Sequence, residues 1–96
     1  MDESLPKTAG NILDEAQAIR GQRGNIYGSA IGNHRRIAQL WSAYLDTPIE
    51  AHQVAICMAL TKISRLTHTS DQRNIDSYVD LAAYAAIAAE CALDAD

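Results

Sequence analysis

A chain of 96 residues, 48% hydrophobic and 21% charged, is one domain's worth of sequence with a thin core of its own. Its formal net charge of −4 excludes bulk electrostatic binding of DNA or of anionic membranes, though not a small basic pocket. The longest strongly apolar run, Val54–Leu60, is too short to span a bilayer. The start, MDESLPKTAG, is acidic and polar rather than signal-like, so the chain is expected to stay in the cytoplasm.

Residues 1–10, with Pro6 and Gly10, are expected to be loosely ordered. A helix is predicted from near Asn11, which can cap it, with Asp14 in the first turn. Ile12, Ala16 and Ile19 share its apolar face. Its end is expected near Arg20, because Gly21, Gly24 and Gly28 come next and suggest a shaped loop. A second helix is predicted from about Ala30 to Leu45, on the spacing of Ile37, Leu40, Trp41, Tyr44 and Leu45.

Thr47-Pro48-Ile49-Glu50 reads as a capping box with proline at the first helical position. It opens a third helix that should run from Pro48 to Leu66 or Thr67. The middle of that helix, VAICMAL, is apolar all round, as in a central helix. After the polar stretch Thr67–Asn74, a fourth helix is predicted from Ile75 to about Leu93. One stripe of it carries Asp76, Asp80, Ala83, Ile87 and Glu90. The opposite stripe carries Tyr78, Leu81, Ala85, Ala88 and Ala92, and is nearly as apolar. A bare face of that kind points to a homo-oligomer contact through this helix. The expected architecture is therefore all-α: a compact four-helix bundle over residues 11–93 of a single domain, oligomerising through its helices.

Cys57 and Cys91 belong to no CxxC or Cys/His cluster and read as reduced, buried thiols. His34, His52 and His68 do not cluster in sequence, so they read as surface or capping residues rather than ligands. No serine nucleophile motif is present.

Two constellations can carry chemistry. Asp76 and Asp80 stand four apart on one helix and repel unless a cation sits between them. In an antiparallel hairpin Lys62 and Arg65 reach the same end. That cluster is either a structural ion-pair network or the frame of a polar ligand site. The second constellation is the segment Gly21–Gly32 with its two flanks: Arg20, Arg23, Asn25, Tyr27 and Ser29, then Asn33, His34, Arg35 and Arg36. Small residues, a helix N-terminus and arginines suit a phosphate. The plain alternative is a glycine-rich connection with solvated arginines.

Several short motifs occur together: Ile12-Leu13-Asp14-Glu15-Ala16, Tyr27-Gly28, Asn33, Arg36-Ile37-Ala38 and Leu40-Trp41-Ser42. After them come Thr47-Pro48-Ile49, Val54-Ala55, Lys62-Ile63 with Arg65, Asp76, Val79-Asp80 and Ala83-Tyr84-Ala85. As a set these resemble a small phage and prophage family of unknown function, related to nucleotide-modification-associated domains. The layout also resembles, distantly, the all-α nucleotide pyrophosphohydrolases of the MazG and dUTPase type. The resemblance implies a phage protein that binds a nucleotide or a nucleotide-derived phosphate ligand, in phage nucleotide metabolism.

By position, the resemblance makes Asp76 and Asp80 metal-side carboxylates, with magnesium as the implied cation. Lys62, Arg65 and Arg36 become phosphate contacts. Tyr27 and Asn33 become base or sugar contacts, and Tyr84 belongs to the same ligand set. The stretch Ser29–Leu45 contains no Asp or Glu, so the second acidic motif of those hydrolases is missing and binding is better supported than hydrolysis. Two other functions remain open. One is a non-catalytic anti-defence protein, either a cyclic-nucleotide sponge or an immune-protein inhibitor. The other is a helical interaction module without a ligand.

Overall fold

A computed structural model describes residues 8–27, 29–68 and 74–94, and the side chains of 22–27 fall outside that description. Four helices succeed one another: α1 (Ala9–Tyr27), α2 (Ala30–Leu45), α3 (Ala51–His68) and α4 (Ile75–Asp94). Among the described residues there is no strand.

The first helix departs from expectation at both ends. Its cap is Thr8, whose hydroxyl accepts the Asn11 N–H at 3.1 Å, so Asn11 stands inside the first turn. It also runs on past Arg20 to Tyr27 instead of ending in a glycine loop. Glycine inside a helix costs about 1 kcal/mol relative to alanine, but unlike proline it keeps its N–H and blocks no carbonyl. Spaced glycines therefore weaken this turn without breaking it. Gly28 and the side chains of Arg23, Asn25 and Tyr27 lie outside the described residues.

The second helix matches its predicted span. Ser29 caps it, with its hydroxyl accepting the Gly32 N–H at 3.0 Å. At the other end Asp46 adopts a left-handed backbone (φ 52°, ψ 46°), and its N–H and that of Thr47 both return to the Ser42 carbonyl. Left-handed geometry penalises any side chain with a Cβ. Asp46→Gly should therefore raise stability by about 0.5–1 kcal/mol, read as a higher midpoint in urea with an unchanged slope.

The third helix starts three residues later than the capping-box pattern implies. Ile49 gives its N–H to the Ser42 hydroxyl at 2.9 Å, which ties residues 47–49 to α2 as a turn. Glu50 becomes the cap: its carbonyl accepts from Gln53 and Val54, while the Gln53 side chain accepts the Glu50 N–H at 2.8 Å. Half of a capping box is present, the returning Gln53 side chain, and it spans Glu50 and Gln53 rather than Thr47 and Glu50.

Two core clusters meet on α4. Ala55 and Ala59 of α3 pack with Tyr84, Ile87, Ala88 and Cys91. Ala16 of α1 packs with Val79 and Ala83. The central helix is therefore α4, not α3. On α3 only Val54, Ala55 and Ala59 are buried, while Ile56, Leu60 and Ile63 are exposed. Periodicity could not rank the two helices, because VAICMAL is apolar on the face it exposes as well. The α4 stripes are also redrawn: Ala88 is buried and Leu81 half-buried against α3, whereas Asp76 is exposed at the helix start. With α1 on one flank and α3 on the other, α4 buries a wider arc than one stripe.

Cys91 is buried as expected, and burial, with Glu90 nearby, pushes its thiol upward from the ordinary range. Cys57 is exposed, because it falls on the outer side of α3. His34 is buried as well. Its Nδ1 lies 2.8 Å from the Ala30 carbonyl and its ring meets Tyr84 edge-on at 6.2 Å, so it is a core residue rather than a surface one. None of the described helices is long and apolar enough to cross a membrane.

Candidate functional site

Helices α3 and α4 form the antiparallel hairpin on which the acidic and basic candidates depend. Lys62 Nζ lies 3.2 Å from Asp80 Oδ2, and the two side chains are only 12% and 18% exposed. This pair neutralises itself inside the hairpin, leaving little room for a ligand between the two groups. One turn further out the arrangement changes. Arg65 and Asp76 do not close on each other in an ion pair, and both line an open cavity of about 750 Å³. Ser64, Thr67, His68 and the buried Asn74 and Ser77 also line it.

Among the described residues the cavity wall carries the Arg65 guanidinium, the His68 imidazole, the Asp76 carboxylate and hydroxyl and amide groups. The cavity also opens at the start of α4, where the helix dipole favours an anion. Arginine beside a helix N-terminus is a usual way to hold a phosphate oxygen. Asp76 opposes an anion there unless it faces a cation or a ligand N–H.

The remaining sequence candidates are spread out. Asn33 and Arg36 stand on α2, half-buried and exposed, and Arg36 already takes part in an interaction. Tyr84 is buried in the core against His34. The side chain of Tyr27 lies outside the described residues. Arg20, read from sequence as a loop cation, instead pairs with Glu90 and ties α1 to α4. Arg35 pairs likewise with Asp94 and holds α2 to the end of α4. Nothing in the local pattern marks these two pairs, whose members are 70 and 59 residues apart.

The described residues do not assemble a magnesium donor set from Asp76 and Asp80. The Asp80 carboxylate is committed to Lys62. Among the described residues no group of three or more His, Cys, Asp or Glu is placed to hold a metal ion. Sequence reading did not single out His68 or Ser77 for this cavity. The only signal was their place at the two ends of the α3–α4 connection.

With this geometry in view, residues 11–92 match the family model described as "Domain of unknown function (DUF6378)". The chain belongs to this family. Its DUF6378 segment takes in α2 and α3 whole and nearly all of α1 and α4. The chain is 43% identical over 76 residues to the "Gene 55 protein" of Mycobacterium phage D29, covering 78% of this chain and 49% of that protein. It is 39% identical over 88 residues to the "Gene 55 protein" of Mycobacterium phage L5, covering 90% and 55%. The DUF6378 chain thus spans about half the length of these curated relatives, which are phage proteins. No solved structure matches it.

Proposed function

We propose that this DUF6378 protein binds a phosphate-bearing small molecule of the nucleotide class at the open end of the α3–α4 hairpin. The observation that carries the reading is the cavity where Arg65 and His68 stand at the start of α4, on the open side of the sealed Lys62–Asp80 pair. Geometry speaks for the phosphate. The nucleotide class, and a role in phage nucleotide metabolism, rest on the resemblance of the motif set to phage nucleotide-modification and pyrophosphohydrolase families. Any magnesium at this site enters with the ligand's own phosphates.

The test is a thermal-shift panel of nucleoside mono-, di- and triphosphates, cyclic dinucleotides and inorganic pyrophosphate, each with and without magnesium. A ligand at 100 times its Kd adds about 2.7 kcal/mol of stability. For a chain of this size that is a rise of roughly 10 °C or more. Arg65→Ala, at an exposed position, should abolish the shift without lowering the ligand-free melting temperature. A flat response across the panel removes the proposal. Recovery of the bound molecule after denaturation separates two versions of it: a sponge returns the ligand intact, and an enzyme returns product.

The Lys62–Asp80 pair favours a second reading, in which the whole cluster is structural and the protein is a helical interaction module. On that reading Arg65→Ala changes nothing measurable.

A further inference from the structure

The helix pair α3–α4 carries α1 and α2 on one side only. Its core-facing residues fix the register: Lys62 meets Asp80, and Ala55 and Ala59 pack with Tyr84, Ala88 and Cys91. In that register, at about 100° per residue, two rows fall together on the opposite side. Ile56, Leu60 and Ile63 of α3 are 48%, 56% and 42% exposed. Beside them on α4 stand Tyr78, 45% exposed, and the exposed alanines Ala85, Ala89 and Ala92. Neither row contains an Asp, Glu, Lys or Arg.

We infer that this face is an interface between two copies of the chain, related by a two-fold axis. Three observations select a second copy as the occupant. First, the face carries both halves of a complementary pair, a bulky row on α3 and, beyond Tyr78 at the start of its row, exposed alanines on α4. A two-fold rotation lays each bulky row over the partner's small row, where helices approach closely. Second, the chain carries a net charge of −4, and two copies meet here without opposing any like charges. Third, the dimensions suit a small, concentration-dependent contact. The α4 row from Tyr78 to Ala92 is about 21 Å long and two adjacent helices are roughly 20 Å across. That gives on the order of 400 Å² per partner, at the low end of specific interfaces.

The monomer's core gives the same answer from inside. Among the described residues the largest fully buried side chains are Val54 and Val79, and much of the remaining core is alanine. The interface is independent of the ligand site, because Arg65 and the hairpin-end cavity lie outside both rows.

Sedimentation velocity on the full chain between about 1 and 100 μM tests the inference, with concentrations chosen to bracket ordinary dimer affinities. The wild type should sediment as a dimer of the 10.4 kDa chain. Leu60→Glu and Ala85→Glu should each halve the sedimenting mass, while Leu60→Met keeps the dimer. Leu40→Glu, at a 68% exposed position on α2, should also keep it. If Leu60→Glu fails to fold, the wild-type melting temperature decides: it must rise with protein concentration for a dimer. A wild-type monomer at 100 μM overturns the inference and leaves the face to a different partner. A dimer that survives both glutamate substitutions overturns it equally.

Discussion

Lys62→Met should destabilise the fold by about 3 kcal/mol, the range measured when one partner of a largely buried ion pair is removed. The carboxylate of Asp80, 18% exposed and 3.2 Å from the ammonium, would be left inside the hairpin without its counter-charge. Asp80→Ala should cost less, because a lysine stem is long enough to carry its charge toward water. The informative variant is the double one. Lys62→Met with Asp80→Leu removes both charges and keeps the volume, so it should return to within about 1 kcal/mol of the wild type. Urea titration of the four proteins gives the coupling directly. Single-variant losses below about 0.5 kcal/mol would mean an exposed, weakly coupled pair.

The second large effect concerns alanine as a spacer. Ala55 is fully buried and shares a cluster with Ala59, Ala88 and Cys91. Alanine fills little volume there, but it sets how closely α3 and α4 approach. Ala55→Leu forces extra methylenes into that contact and should cost about 1–3 kcal/mol. The same substitution at Ala85, which is exposed, should leave the chain's own fold intact. Near-ultraviolet circular dichroism and a urea midpoint distinguish the two positions. Equal tolerance at both would mean that the α3–α4 contact is looser than the alanine cluster indicates.

Both effects bear on the proposed site, because the hairpin positions the cavity. The Lys62–Asp80 pair fixes the register of α3 against α4, and that register puts Arg65 and His68 across from the start of α4. A register slip would separate them. A substitution at position 62 or 80 that weakens ligand binding is therefore ambiguous by itself. Arg65, exposed and outside the core, is the cleaner probe.

By itself the sequence determined what depends on neighbours along the chain. The span of α2 and the start of α4 were legible from apolar spacing, and the all-α class came with them. The pairing of bases on α3 with acids on α4 was legible as a hairpin property. What only the tertiary structure decided was how long-range packing distributes those groups. Lys62 and Asp80 close on each other while Arg65 and Asp76 line an open cavity, though all four sit in similar local sequence. Which helix is central was hidden for a related reason: alanine is too weakly hydrophobic to mark a buried face, so the inner and outer sides of α4 look alike until neighbouring helices cover one of them. The glycines after Arg20 were misleading because helix propensity is a small local term, about 1 kcal/mol per residue, that the surrounding structure readily overrides.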